Sequence, residues 1–594
     1  MVRREIELLR EAMGRHGVSL CLVPTADAHE SEYPGEYFAA RKYLSGFTGS
    51  AGTLAVSAGW AGLWTDARYF LQAERELAGS GVTLYRMGEE GVPSLEEELS
   101  DRLPEGGVLA FDGTVVNRRL GSSLKDLASG KGGRVLLLDL PGEIWEGRPA
   151  LPCEPVFSLD LVYAGESRKE KLSRVRARMQ EAGGELHVVT ALDDIAWLMN
   201  LRGNDVPCNP VFLSYLILSM ERAWLFVQEG TVPGDIRKEL LGDGVELREY
   251  GAFFEELPSL CEGKTVMADS RKVNEQAWSC LGVAADIVDL PNPAAVFKAV
   301  KNSVEQENLK KAHVKDGIAV TKFLYWLKTQ AGKKSVTEGE AASYLEQCRK
   351  GQENYLGPSF ATIAAYGAHG AIVHYQAEGD GVRLLPEGFF LVDSGGHYLE
   401  GTTDVTRTVA LGPLTAGQKK HFTAVLKGML ALGDAKFLKG CRGESLDYAA
   451  REPLWAMGLD YHHGTGHGVG YLLNVHEGPN AFRWRPPSEG AGTAVFLPGM
   501  VTSDEPGLYL AGEYGIRTEN LLLCKEAEKN EYGQFLEFEH LTMVPLDLEA
   551  VDWEEMDRKD IRRLNRYHAK VRETLSPYLE GEELKWLLEA AREV

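Results

Sequence analysis

One pattern occurs twice in this chain and limits its fold more than any other feature. Ile6, Leu9 and Met13 recur at i, i+3 and i+7 in a charged background, which predicts an amphipathic helix closed by His16-Gly17. The apolar run from Val18 to Val23 then reads as a strand. Leu172, Val175 and Met179 repeat the spacing, Gly183-Gly184 closes the second helix, and Leu186-His187-Val188-Val189 follows as another strand. Each strand runs on into Thr and Asp, Thr25 and Asp27 in the first copy and Thr190 and Asp193 in the second. A helix that must bury one stripe beside the strand it leads into is the seed of an α/β domain. The chain is therefore expected to begin with two related α/β domains, residues 1–160 and 161–295.

At roughly 150 residues per domain, 594 residues leave room for about two more. Pro291-Asn292-Pro293 punctuates the chain ahead of a long helical pattern from about Ser303 to Gln330, with Ile318, Phe323, Leu324 and Leu327 on its apolar face. From there to about Pro545, Gly-rich turns separate short strands: Gly388–Asp393, Gly401–Val409, Met500–Glu505 and Gly515–Leu523. The stretch 551–594 is charged and helical, with Trp553, Leu575, Trp586 and Leu587 as expected anchors. It reads as an extension of a third domain, 296–594.

Charge narrows the partners. Lys plus Arg number 64 and Asp plus Glu 87, a net −23, whereas nucleic acid and anionic membranes both call for a basic surface. The opening MVRREIELLREAMGRHG has no apolar stretch that would serve as a secretory signal. A long uncharged run, Tyr43 to Thr65, carries five Gly and suits loops and short strands rather than a membrane helix. Eight dispersed cysteines with no C-x-x-C pair point to reduced thiols and a cytoplasmic setting.

The chemistry concentrates in the third domain. Phe389-Phe390-Leu391-Val392 is buried-strand material that ends in Asp393. In Thr402–Val409 the alternation puts Asp404 on one face with Thr406 and Thr408, and a hairpin would bring the two Asp side chains together. Unpaired carboxylates beside apolar strands either protonate or share a cation, although this pair taken alone is equally served by turn capping. Glu505 precedes a Pro-Gly turn, Glu519 precedes Leu521-Leu522-Leu523, and His467 stands in what reads as a glycine loop, Gly464-Thr465-Gly466-His467-Gly468-Val469-Gly470. That spacing is not G-x-G-x-x-G, and a phosphate loop has no use for a central imidazole. Four carboxylates contribute −4 and two divalent cations +4. Hard oxygen ligands with a single His favour Mn²⁺, with Co²⁺ or Fe²⁺ as alternatives, over Zn²⁺. Two metals ~3.5–4 Å apart hold a water, lower its pKa toward roughly 7 and stabilise the oxyanion of amide hydrolysis.

Asp393, Asp404, His467, Glu505 and Glu519, in this order and context, resemble the ligand set of the dinuclear pita-bread metallopeptidases, a family that includes methionine aminopeptidase, prolidase and creatinase. The long, three-domain aminopeptidase P form is the most similar. Trp64-Thr65-Asp66-Ala67-Arg68-Tyr69-Phe70, Asp194-Ile195-Ala196-Trp197-Leu198-Met199-Asn200-Leu201-Arg202-Gly203 and His463 through Pro479 all look like that family. The resemblance implies two related N-terminal α/β domains followed by a C-terminal pita-bread catalytic domain, an α/β (α+β) chain that forms a homodimer through that last domain. It implies that Asp393 chelates one metal, that His467 and Glu505 chelate the other, and that Asp404 and Glu519 bridge them. It further implies that Glu505 shuttles a proton, that His374 lines the substrate pocket, and that His463 and His476 flank the scissile bond. Arg68 is similar to a first-domain arginine that reaches toward substrate, and pairing with Asp66 is its other reading. Departures from the usual pattern are Ala67 for glycine, Leu508 for an aromatic residue, expected near the pocket, and Thr518 for an apolar residue.

The substrate class implied is a peptide with proline second. An Xaa-Pro bond has no N–H and carries a fixed ring, so a site that accepts it needs an apolar slot and a group to protonate the proline nitrogen. The alternative within the same fold is a prolidase restricted to Xaa-Pro dipeptides. A non-catalytic peptide- or histone-binding module is disfavoured because all five ligand positions hold competent side chains. A nucleotide hydrolase fails because Pro258 stands where the P-loop before Gly263-Lys264-Thr265 needs its leading glycine.

Overall fold

The computed structural model describes residues 3–330, 334–377, 379–485 and 493–594. The chain divides into two compact units, Met1–Ser158 with Ser167–Ala294, and Leu159–Glu166 with Ala295–Val594.

The first unit holds two six-stranded sheets of one plan. One runs in the order Thr83–Arg86, Ala61–Thr65, Thr53–Ser57, Leu20–Pro24, Val108–Phe111, Arg134–Leu137. The other runs Val245–Glu249, Ala223–Val227, Ser214–Ser219, Leu186–Val189, Thr265–Ala268, Asp286–Asp289. In both, the strand after the repeated helix is central, antiparallel to one neighbour and parallel to the other. The repeat thus extends from a helix–strand seed to a whole sheet.

The helix Arg4–His16 buries Ile6, Leu9, Ala12 and Met13 and ends on Gly17 at φ 64°, a conformation open to glycine without strain. Its partner Arg168–Glu181 starts in a capping box of Ser167 and Glu170 and buries Leu172, Val175 and Met179. The first strand begins at Leu20, two residues later than its apolar run suggests, because the Val18 N–H closes the helix on the Met13 carbonyl. The uncharged run contributes the strands Thr53–Ser57 and Ala61–Thr65. Among the described residues no helix is long and apolar enough to cross a membrane.

The expected 160/161 boundary falls inside a segment that packs with the C-terminal unit. Asn308 Nδ2 donates to the Val162 carbonyl at 2.8 Å and Asn302 Nδ2 to that of Ala164 at 2.9 Å. Leu159 and Ala164 are buried in one cluster with Leu309 and Leu521.

In the second unit the helix Ser303–Gln330 spans the predicted range. Beyond it lie a three-stranded antiparallel sheet (Ile363–Tyr366, Phe389–Ser394, Val405–Ala410) and a ribbon of Gly507–Leu510 with Tyr514–Arg517. A six-stranded sheet runs Lys436–Leu438, Gly533–His540, Asn520–Asn530, Val501–Asp504, Gly466–Gly468, Glu477–Phe482. Two strands expected to be continuous are broken. Gly401–Val409 is interrupted at Thr403-Asp404 and Gly515–Leu523 at Thr518-Glu519. Each break frees an acid from the pleat. The extension forms the helices Arg558–Leu575 and Gly581–Ala590. Leu575 and Leu587 are fully buried and Trp586 meets Tyr325, as anchors should. Trp553 does not serve as one. It is 40% exposed because it precedes the helix cap at Asp557, and Leu564, Tyr567 and Val571 do the packing instead.

Candidate metal centre

Five elements converge on one buried point. Asp393 lies near the end of its strand opposite Thr406, and Asp404 occupies the bend just before Val405. Glu519 occupies the second break, where its N–H donates to the Thr406 carbonyl and its Oε2 accepts from Thr406 Oγ1 at 2.8 Å. His467 Nε2 lies 3.3 Å from Glu505 Oε1 and 3.5 Å from Asp404 Oδ2. Ligand atoms of Asp404, His467 and Glu519 all fall within 4.8 Å of one another.

The glycines around His467 form a strand, not the loop their number suggests. A Cβ on Gly466 would sit 1.8 Å from the Ser503 carbonyl oxygen, and one on Gly468 2.1 Å from that of Glu477. Neighbouring backbones approach too closely there for any side chain except the imidazole between them. Ser503 Oγ accepts from the His467 N–H and donates to Glu505 Oε1, tying the two residues together.

The donor set fits divalent cations. Asp393 Oδ1 and Glu519 Oε1 are buried without a hydrogen-bond partner, although the other oxygen of each is bonded. His467 Nδ1 donates to the Gly468 carbonyl at 2.9 Å, which leaves Nε2 as the metal-facing nitrogen. Arg517, which the sequence reading passed over, joins the cluster. Its Nη2 lies 2.5 Å from Asp393 Oδ2, Nη1 2.7 Å from the Tyr509 hydroxyl and Nε 3.2 Å from Thr406 Oγ1. Four carboxylates and one guanidinium give −4 + 1 = −3, which two divalent ions exceed by one unit.

Without cations the cluster holds protons instead. Burial, then the Glu505 and Asp393 charges, push Glu519 up to about 8, and burial with Glu519, Asp393 and Glu505 raises Asp404 well above the usual carboxylate range. Burial opposes the charged forms of His467 and Glu505, but their mutual hydrogen bond and attraction win, lifting His467 to about 9 and lowering Glu505 to about 2. Glu519 and His467 therefore stabilise the metal-free fold below their unfolded values and lose that contribution as pH rises through about 8 and about 9. Cation binding needs the same protons removed. The expected result is that added Mn²⁺ raises the melting temperature more at pH 8 than at pH 6, with proton release visible in calorimetry across buffers of different ionisation heat. An equal shift at both values would contradict it.

Of the other predicted residues, His463 and His476 lie beside this cluster. His463 is half-buried, with Nδ1 donating to the Gly464 carbonyl at 2.8 Å and Nε2 accepting from the Tyr509 hydroxyl at 2.9 Å. Burial first, offset by Glu505, lowers it to about 4, so it stays neutral. The His476 ring stands 4.2 Å from that of His467, edge to face. Its neighbour Glu477 is anchored by the buried Lys301 Nζ at 2.6 Å. His374 is half-buried just past the turn Gly367–Ala371, which packs on Tyr514–Arg517 so closely that a Cβ on Gly515 would lie 1.7 Å from the Gly370 oxygen. Glu338, fully buried, clamps this segment, accepting from Tyr366 N–H, His369 Nδ1, the Tyr375 hydroxyl and Val382 N–H at 2.8–2.9 Å.

Leu508 does not shape the pocket. It is 2% exposed inside the apolar core, and alternation gives the site-facing position to Tyr509. Arg68, in the first unit, is bidentate on Asp66 at 2.7 and 2.8 Å. Arg517 and Tyr509 carried one overlooked signal, polar residues within otherwise apolar strands that flank Glu519 and Glu505. Glu338 had none, since a first-turn acid is ordinary at a helix start.

Comparisons with known proteins identify the family. The chain matches the Creatinase/Prolidase N-terminal domain twice, at residues 5–149 and 147–305. It matches metallopeptidase family M24 at 307–526 and the C-terminal region of peptidase M24 at 534–594. A probable Xaa-Pro aminopeptidase P of Sordaria macrospora is 38% identical over 98% of this chain and 97% of its own length. Aminopeptidase P1 of Arabidopsis thaliana is 37% identical over 99% and 98%. The crystal structure of X-prolyl aminopeptidase from Caenorhabditis elegans, described as a cytosolic enzyme with a di-nuclear active site, superposes with a TM-score of 0.94 at 34% identity, covering 99% of each chain. Two creatinase-type N-terminal domains thus precede a pita-bread domain whose acids and imidazole meet at one point, and the chain belongs to the aminopeptidase P family of M24 metallopeptidases.

Proposed function

We propose that this protein is a metal-dependent aminopeptidase that removes the N-terminal residue from peptides with proline at the second position. The observation that carries the reading is the convergence of Asp393, Asp404, His467, Glu505 and Glu519 with two carboxylate oxygens left unpartnered. Asp393 would hold one metal, His467 and Glu505 the other, and Asp404 and Glu519 would be shared between them. Two divalent metals, when bound, supply the activated water for attack on the scissile carbonyl. Glu505 takes up the proton released in that attack and delivers it to the departing proline nitrogen. His476, beside His467, and His463, whose Nε2 orients the Tyr509 hydroxyl, flank the scissile bond, and His374 lines the pocket from its clamped segment. Arg68, paired with Asp66 here, is a substrate-binding candidate on family resemblance alone.

Mn²⁺ is the favoured ion, because four carboxylates and one imidazole make a hard, oxygen-rich set. A cytoplasmic location is supported by the eight free cysteines. A homodimer through the catalytic domain is supported by an exposed aromatic group, where Trp455 meets Tyr448 and Trp484 at ring distances of 5.9 and 5.6 Å.

One preparation tests all of this. Metal analysis should find two divalent ions per chain, and sedimentation a dimer. An Xaa-Pro-Yaa tripeptide should be cleaved at its first bond and Xaa-Ala-Yaa left largely intact. Cleavage confined to Xaa-Pro dipeptides would make it a prolidase, and equal rates on the two tripeptides would end the proline reading.

A further inference from the structure

The C-terminal extension reaches the segments of Asp404 and Glu519 through the Arg407 guanidinium, with a longer direct contact of 3.3 Å from the Tyr567 hydroxyl to Asn520 Oδ1. Arg407 is 2% exposed and follows Asp404 by three residues. Its Nη1 donates to the carbonyls of Thr406 at 2.8 Å and Glu519 at 2.6 Å. Nη2 donates to Asn520 Oδ1 at 2.8 Å, the Val544 carbonyl at 2.9 Å and the Tyr567 hydroxyl at 2.9 Å, and Nε to the Pro545 carbonyl at 3.2 Å. None of these acceptors is a carboxylate. A cation buried among neutral oxygens is an expensive arrangement for stability alone, and what this one achieves is geometric. It ties the main chain of Glu519, in the second strand break, to that of Thr406 in the strand after the first break and to the segment that follows the large sheet.

Tyr567 completes the fork from the helix Arg558–Leu575 and is 4% exposed. Its hydroxyl also lies 2.8 Å from the Val544 carbonyl. The adjacent His568 Nε2 accepts from the Leu546 N–H at 3.1 Å, so two successive side chains of the helix grip the same segment. Glu519 is then held three ways: its carboxylate by Thr406 Oγ1, its N–H by the Thr406 carbonyl and its own carbonyl by Arg407.

We propose that the C-terminal extension is a working part of the metal centre, in which Tyr567 is a positioning residue that acts through Arg407 on the backbone of Glu519 and thereby sets divalent-cation affinity. This rests on the reading of Glu519 as a metal ligand. The test uses the full-length protein stripped of metal and titrated with Mn²⁺ alone by calorimetry, alongside melting of the metal-free forms. Tyr567→Phe keeps the ring and its packing and removes one acceptor of the fork. It should weaken Mn²⁺ binding about tenfold, in the range seen when groups supporting a ligand are removed. Arg407→Lys, which keeps the charge but loses the fork, should weaken it further. Leu587→Ala opens a cavity in the same extension away from Arg407, and should lower the melting temperature with Mn²⁺ affinity within about twofold of wild type. Unchanged affinity in Tyr567→Phe would overturn the proposal, as would parallel losses of affinity in Tyr567→Phe and Leu587→Ala. Wild-type protein that takes up no Mn²⁺ would remove the metal reading itself, a result distinct from either.

Discussion

Glu519→Ala and Asp404→Ala are each expected to leave the protein folded, short of metal and without measurable turnover. Both residues are at most 4% exposed, both stand in strand breaks, and each comes within metal-ligand reach of His467. Loss of a group that only supports a ligand weakens metal binding about 10- to 100-fold, and removal of the ligand itself should exceed that. The fold survives because burial, helped by Glu505 and Asp393, makes Glu519 a liability to the metal-free protein above its unfolded pKa. Metal-free Glu519→Ala should therefore lose less stability than wild type between pH 5 and pH 8. Metal content by mass spectrometry, turnover and pH-dependent melting check the three parts. Full activity in either variant would refute the two-metal reading.

Arg517→Gln should have the next largest effect, and in a different currency. The guanidinium is 2% exposed and is the cation that faces Asp393 before any metal arrives. Removing one partner of a buried ion pair leaves the other uncompensated, a loss of about 3–5 kcal/mol, so the metal-free variant should melt well below wild type. Divalent cations restore the missing positive charge, and most of the stability should return on their addition. Turnover should not return with it. The Tyr509 hydroxyl loses the donor that sets its direction toward His463 Nε2, and kcat should fall by about 10² at saturating metal, the scale of a lost hydrogen-bonding group beside the scissile bond. Stability rescued by metal together with wild-type kcat would show that Arg517 balances charge and does nothing more.

The helix–glycine–strand repeat was readable because hydrophobic period and positive-φ glycine are local properties, and each copy states both. The ligand acids were readable because a carboxylate at the end of an apolar run conflicts with its surroundings, and that conflict is visible in one dimension. The strand breaks at Asp404 and Glu519 were not, since alternation reads through them. Nor was the strand character of Gly466–Gly468, where the reason for glycine lies in the backbone of Ser503 and Glu477, which folding lays alongside.

Sequence alone thus determined which residues are chemically out of place: four acids and an imidazole in apolar or glycine-rich company, with a fold class to carry them. Tertiary structure alone decided how they are balanced. It set Arg517 against Asp393, linked Tyr509 to His463, and brought Tyr567 and Arg407 to the main chain of Glu519. The physical reason is that hydrophobic burial is encoded residue by residue, whereas these buried charges are satisfied by partners that only folding brings alongside, 124 positions apart for Arg517 and Asp393 and 112 for Arg407 and Glu519.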